Sequence, residues 1–256
     1  MTMDKASKIT VAALELDIRW ADKTYNLDAV GRMLAALDGK CDIVVLPEMF
    51  ATGFTFDSGL AEDWCGQIGD SIRCFAQKHR MALSGTYLAN DKNILCNRAF
   101  FQTPDGKCYH YDKRHLFSLG GEDKYLKAGE SRCVFNYLGW NISMFVCYDL
   151  RFPKWMRNEG NAYDLALLPA NWPARRDYAW RHLQIARAIE NEAYLVSCNR
   201  RGLDASCVEH IGNSMALDYA GKPVGSRLDD GVMIAELDKD RLDAFRDKYR
   251  FWQDAD

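Results

Sequence analysis

Three side chains suited to acyl chemistry each stand just past a run of strand character. Glu48 follows "DIVVLP", Lys113 follows "CYHYD", and Cys147 closes "NISMFV". Loops at strand ends are where catalytic residues collect. A thiol is a weak nucleophile until it loses its proton, and a free pKa of about 8.5 leaves only a few per cent thiolate at neutral pH. A nearby carboxylate can take that proton as general base and later deliver it to a leaving amine. Attack on an amide carbonyl builds an oxyanion, which an ammonium and a backbone N–H can hold. Removing one such donor typically costs about 3–4 kcal/mol. Glu48 as base, Cys147 as nucleophile, Lys113 as ammonium and the N–H of Tyr148 as backbone donor supply the four parts. If their strands share one sheet edge, the three side chains converge. Singly, each has a plainer reading: a solvated Glu, a surface Lys, a core Cys. Cys147 is further expected to alkylate faster than the other eight cysteines, because it faces a pocket and is partly ionised. None of the five histidines lies in a motif resembling a Cys/His protease.

The elements that must position these residues follow from periodicity. "ITVAALEL" (9–16) and the continuous β-branched run "CDIVVLP" (41–47) read as strands, the second covered on both faces. Leu27, Val30, Met33, Leu34 and Leu37 fall at helical spacing between Asn26 and Leu37, and Ile72 to His79 reads as a second helix. "MALSGTYL" is a strand, "RAFFQTPDGKCYHYDK" two strands around Pro104-Asp105-Gly106, and "CVFNYLGWNISMFVCY" two more around Leu138-Gly139. "YDLALLPANWP" is a buried strand, Trp180 to Ala193 a helix and "YLVSCNR" a strand. "SMALDYAGKPVGSRL" reads as a hairpin, "GVMIAELD" as a strand and Asp240 to about Tyr249 as a charged helix. About a dozen strands with four or five helices exceeds a simple doubly wound sheet and suits two packed sheets with helices outside. No repeat or linker breaks the chain, so one domain over 1–256 is expected.

Composition removes several classes. A net charge of −3 gives no electrostatic case for nucleic acid or an anionic membrane. The longest uncharged stretch, Cys133 to Tyr148, is 16 residues, short of the roughly 20 apolar residues of a spanning helix. The N-terminus lacks the pattern of a signal peptide. Nine cysteines without a C-x-x-C, and histidines without paired spacing, point away from a structural zinc and toward reduced thiols in the cytosol.

Together "LPEMF", "YDKRHLF" and "CYDLRFP", in the order Glu48, Lys113, Cys147, resemble the Glu-Lys-Cys signature of the nitrilase superfamily, the carbon–nitrogen hydrolases. "YDLALLPANWP", "ARAIENEAYLVSCNR" and "FWQDAD" further resemble its ω-amidase-like branch, which hydrolyses amides of short 2-oxo dicarboxylates. The resemblance implies an α/β fold, a four-layer α-β-β-α sandwich, and a homodimer or larger homo-oligomer paired through the outer helices. It implies a small-molecule amide substrate and no cofactor or metal. By the same resemblance Glu122 supports Lys113, with Asp123 beside it and a surface carboxylate as the plainer reading. Arg151 is a candidate clamp for a substrate carboxylate, against a structural ion pair. Asn171 and Trp172 are candidate pocket lining, with Trp172 equally readable as core. "NWPARRD" departs from members with a Thr-rich segment after the Asn, so Arg175 and Arg176 contact an anionic substrate or face solvent. Deaminated-glutathione amidase, N-carbamoyl amino-acid hydrolase, nitrilase and a silent scaffold of the same fold remain alternatives.

Overall fold

A computed structural model describes residues 6–229 and 231–254. Residues 1–5 and the last two of "FWQDAD" lie outside this range. The chain begins with β1 (Lys8–Leu14), α1 (Lys23–Ala36), β2 (Ile43–Val45), α2 (Gln67–His79), β3 (Ala82–Asp91), β4 (Ile94–Gln102) and β5 (Cys108–Asp112). It continues with β6 (Val134–Tyr137), β7 (Trp140–Met144), α3 (Pro153–Met156), β8 (Leu165–Ala170), α4 (Asp177–Asn191) and β9 (Tyr194–Asn199). Then follow β10 (Arg201–Leu203), β11 (Glu209–Ile211), β12 (Ala216–Leu217), β13 (Ser226–Asp229), β14 (Val232–Asp238) and α5 (Lys239–Tyr249).

Seven strands form one sheet in the order β13-β14-β1-β2-β3-β4-β5, and five form a second in the order β12-β9-β8-β7-β6. Period-two alternation in the first sheet sorts its side chains into two cores. Val11, Ala13, Ile43 and Val45 join Ile142, Met144, Leu165 and Leu167 of the second sheet in one cluster. Their neighbours Ala12, Leu14, Val44 and Leu46 pack instead against Leu27, Val30 and Leu34 of α1 and Ile68, Ile72 and Ala76 of α2. Trp180 and Ala188 of α4, which packs on β9 and β12, belong to the first cluster and cover the other side of the second sheet, and Leu242 of α5 joins the same cluster. The result is the expected α-β-β-α layering.

Local sequence sets these helices. The Asp22 side chain accepts from the Tyr25 N–H at the start of α1, and Asp238 accepts from the Arg241 N–H at the start of α5. Arg80 stops α2 in a left-handed turn.

Topology brings the right strand ends together. β1, β2 and β3 are parallel neighbours, and β5 runs the same way after the antiparallel excursion of β4. β7, β8 and β9 are parallel in the second sheet. The Glu48 N–H donates to Ala170 O at 3.2 Å, stitching the exit of β2 to the end of β8. The strands do not share one sheet edge, the condition set on sequence grounds, and convergence is instead across two facing sheets. Glu48 and Lys113 leave the first sheet and Cys147 the second.

The "SMALDYAGKPVGSRL" hairpin also needs correction. Its turn exists, with Gly221 N–H donating to Asp218 O at 2.9 Å. Its arms separate after the Leu217–Pro223 bridge, β12 joining β9 and β13 joining β14 in the other sheet.

Candidate active site

Glu48, Lys113 and Glu122 are each about 99% buried or more, and they are joined by charge-assisted bonds. The Lys113 Nζ donates to Glu48 Oε1 at 2.7 Å and to Glu122 Oε2 at 2.8 Å. Lone buried charges of this kind would be prohibitive, and pairing plus hydrogen bonding is what makes them tolerable. Asn97, on β4, donates its Nδ2 to Glu48 Oε1 at 2.7 Å and to Glu122 Oε1 at 2.9 Å. The Phe117 N–H donates to Glu122 Oε2 at 2.6 Å, and the Asn171 N–H to Glu48 Oε2 at 3.0 Å. Glu122 thus points inward, and the neighbouring Asp123 faces solvent.

The Cys147 thiol lies against the Glu48 carboxyl and the Asn171 N–H. Burial pushes its pKa well above the ordinary thiol range. The Glu48 charge adds to that, and Lys113 opposes it. Burial and the Glu48 charge thus favour the thiol over the thiolate, against the expectation of a partly ionised cysteine. Burial raises Glu48 too, with Lys113 pulling the other way. For Lys113 burial lowers the pKa, but Glu122 and Glu48 more than offset this and keep the ammonium charged.

Cys147 opens a short 3₁₀ turn through Arg151, with φ +43° at the cysteine itself. A non-glycine residue held there costs about 1–3 kcal/mol and persists only when its surroundings dictate it. Asp149, fully buried, does much of that. It accepts from the Val146 N–H at 3.0 Å, the Tyr111 hydroxyl at 2.7 Å and the His115 N–H at 3.0 Å, and it meets His115 Nδ1 at 2.8 Å. One carboxylate therefore ties the nucleophile's turn to the loop that carries Lys113.

Cys147 and Glu48 open onto a cavity of about 490 Å³, also lined by Tyr148, Arg151, Asn171, Trp172, Arg175 and Arg176. The Arg151 guanidinium lies 4.8 Å from the Trp172 ring centre, and that of Arg176 lies 5.1 Å from Phe117's. Among the described residues, Arg151, Arg175 and Arg176 form no ion pair. Burial, then Arg175, pulls the Arg176 pKa down. Trp172 lines the cavity and also packs in the core, donating its Nε1 to Arg176 O at 3.0 Å. Asn171 acts on Glu48 through its backbone, and its buried Nδ2 has no partner. Tyr148 lines the wall with its ring edge-on to Phe117 and Phe152.

Asn97, Asp149 and the β10–β11 hairpin escape sequence reasoning. The hairpin tip adds Asp204 and Val208 to the cavity wall. The available signals were an amide inside an apolar strand and an acid two residues past the cysteine.

Comparison with known proteins agrees with this geometry. Residues 10–247 match the carbon-nitrogen hydrolase family. The chain is 38% identical to the omega-amidase YafV of Escherichia coli (strain K12), over 97% of each chain. It is 30% identical to a 2-oxoglutaramate amidase of Bacillus subtilis (strain 168), over 90% of this chain and 91% of that one. The crystal structure of XC1258 from Xanthomonas campestris, a CN-hydrolase superfamily protein with an arsenic adduct in its active site, superposes with a TM-score of 0.93. It is 35% identical and covers 97% of each chain. The chain belongs to the carbon–nitrogen hydrolase family, the nitrilase superfamily, and is a hydrolase of carbon–nitrogen bonds other than peptide bonds.

Proposed function

We propose that the protein is an ω-amidase, releasing ammonia from the monoamide of a short 2-oxo dicarboxylic acid such as 2-oxoglutaramate or 2-oxosuccinamate. The observation that carries this reading is a cavity lined by the Glu48–Cys147 pair and by three arginines without counter-ions among the described residues. The amide end of such a substrate needs that pair. Its carboxylate end needs a cation, and the planar fork of Arg151 or Arg176 suits a carboxylate. The likeness to YafV and to the 2-oxoglutaramate amidase supports the same assignment.

In this reading Glu48 takes the Cys147 proton as the sulfur attacks the amide carbon. Lys113 and the Tyr148 N–H hold the oxyanion. Glu48 returns the proton to the departing nitrogen, and ammonia leaves. The acyl group remains on Cys147 as a thioester. Water, deprotonated by Glu48, then attacks that thioester and frees the acid and the thiol. No cofactor enters. The protein works as one domain spanning residues 1–256, in the cytosol, as a homodimer or larger assembly paired through its outer helices.

Ammonia release by pure protein should be measured from 2-oxoglutaramate, 2-oxosuccinamate, glutamine, a neutral aliphatic amide and an N-carbamoyl amino acid. Turnover confined to the 2-oxo dicarboxylate amides, lost in Cys147→Ala, is expected. Arg151→Gln and Arg176→Gln should raise KM for the anionic amides and leave kcat nearly unchanged, since they remove binding remote from the reacting bond. Full turnover by Cys147→Ala would end the thiol mechanism. Preference for a neutral amide would end the ω-amidase assignment.

A further inference from the structure

Lys113, Glu48, Asn97 and Glu122 close a ring of hydrogen bonds, and counting acceptors around it separates the two glutamates. Both oxygens of Glu122 face donors only: Asn97 Nδ2 at Oε1, and Lys113 Nζ with the Phe117 N–H at Oε2. A proton on either oxygen would point at another donor. Glu48 differs. Its Oε1 is filled by Lys113 and Asn97, and its Oε2 accepts only the Asn171 N–H. Oε2 therefore has capacity left to accept from the thiol, which lies against this carboxyl.

We propose that Asn97 is a positioning residue for proton transfer. Its amide grips Oε1 of both glutamates, so Glu122 stays the fixed counter-ion of Lys113 and Glu48 exchanges protons through Oε2 alone. This rests on the reading of Glu48 as general base. Three observations favour it over simple packing. Asn97 is fully buried in a strand, where an apolar side chain would fill the space at less cost. Its Oδ1 is buried with no hydrogen-bond partner among the described residues, so the amide is oriented to donate even though its acceptor is wasted. Its main-chain oxygen accepts the Lys113 N–H at 2.9 Å, which keeps lysine and amide in register.

The charged or titratable groups around Glu48 are Lys113 from the exit of β5, Glu122 from the turn after it and Cys147 from the nucleophile turn. Amide donors to a carboxylate favour its charged form, so removing them raises the pH at which Glu48 becomes a base.

The decisive experiment needs no substrate. The rate of Cys147 alkylation by iodoacetamide would be followed against pH by peptide mass spectrometry, in the full chain. Wild type should show an acid limb, and Glu48→Gln should lack it. Asn97→Asp, which removes the donors and adds a like charge, should move the limb about one pH unit or more upward. Asn97→Ser should move it less, in the same direction. The exposed Cys65 and Cys74 serve as internal references that do not change. A limb that survives Glu48→Gln defeats the general-base reading. A limb that vanishes there but stays in place in Asn97→Asp overturns the role of Asn97 alone. Should Asn97→Asp not fold, Asn97→Ser decides, and failure of both to fold makes Asn97 a folding residue and ends the proposal.

Discussion

At the residue scale the site is a problem of buried charge. Lys113 is the single cation between two carboxylates, and none of the three side chains is exposed at the surface. Lys113→Met should therefore do more than weaken oxyanion binding. Breaking a buried pair by removing one partner costs about 3–5 kcal/mol, because the other charge is left uncompensated. The sign of its pH dependence follows. Burial already raises Glu48, and without the ammonium its folded-state pKa rises further above an unfolded value of about 4.3. Carboxyls raised in this way bind more protons folded than unfolded, so stability falls as pH climbs past that value. Urea unfolding should show a small deficit for the variant near pH 4 and the full deficit at pH 7. A deficit independent of pH would mean that the glutamates are not charged in the folded protein. Glu48, Lys113 and Cys147 were legible in the sequence because each residue type is wrong for the apolar run it follows. Asn97 was not, since one amide in "ILCNRAFF" reads as mere low strand propensity. Only its two carboxylate partners, 49 and 25 residues away, give it meaning.

At the element scale the nucleophile's turn and the lysine loop are separate pieces held by Asp149. Tyr111 adds a second tie: its hydroxyl receives the Trp155 Nε1 at 2.9 Å and the Arg114 N–H at 3.2 Å while donating to Asp149. Asp149→Ala would strand the Val146 N–H and the Tyr111 hydroxyl, both buried. Each buried donor left without a partner costs about 1–3 kcal/mol. The variant should thus lose about 2–6 kcal/mol of stability and also lose turnover, because the left-handed Cys147 is no longer held in place. Thermal unfolding read beside kcat tests this; an unchanged melting temperature would release Asp149 from the role. Helices and long strands were legible because their periods repeat several times. The β10–β11 hairpin was not, with three residues in each strand. Three residues are too few for alternation to show, and Gly202, at φ +84°, interrupts even those. The "SMALDYAGKPVGSRL" segment misled for a different reason. A turn signal states that the chain reverses, and says nothing about which sheet each arm then joins.

At the scale of the whole molecule, a surplus of strands already implied two sheets, but their facing arrangement needed long-range contacts such as the Glu48 N–H with Ala170 O. The same scale carries the last prediction, the assembly proposed above. α4 lies on the outer side of the second sheet. It leaves two large apolar side chains in solvent, Tyr178 78% exposed and Ile189 50%, about three turns apart on one helix face. Scattered exposed apolar residues are ordinary, but an apolar stripe on one outer helix marks a contact surface. A twofold pairing would place the same patch from two copies face to face. Sedimentation of the wild type should give a dimer or larger species. Ile189→Asp should shift it toward monomer, because a carboxylate would have to be desolvated against the partner's apolar patch. Its melting temperature measured on the monomer should stay close to that of wild-type subunits, since Ile189 is half in solvent already. A wild type that sediments as a monomer across its soluble range would sink the pairing. A dimer that ignores Ile189→Asp would move the contact to another face.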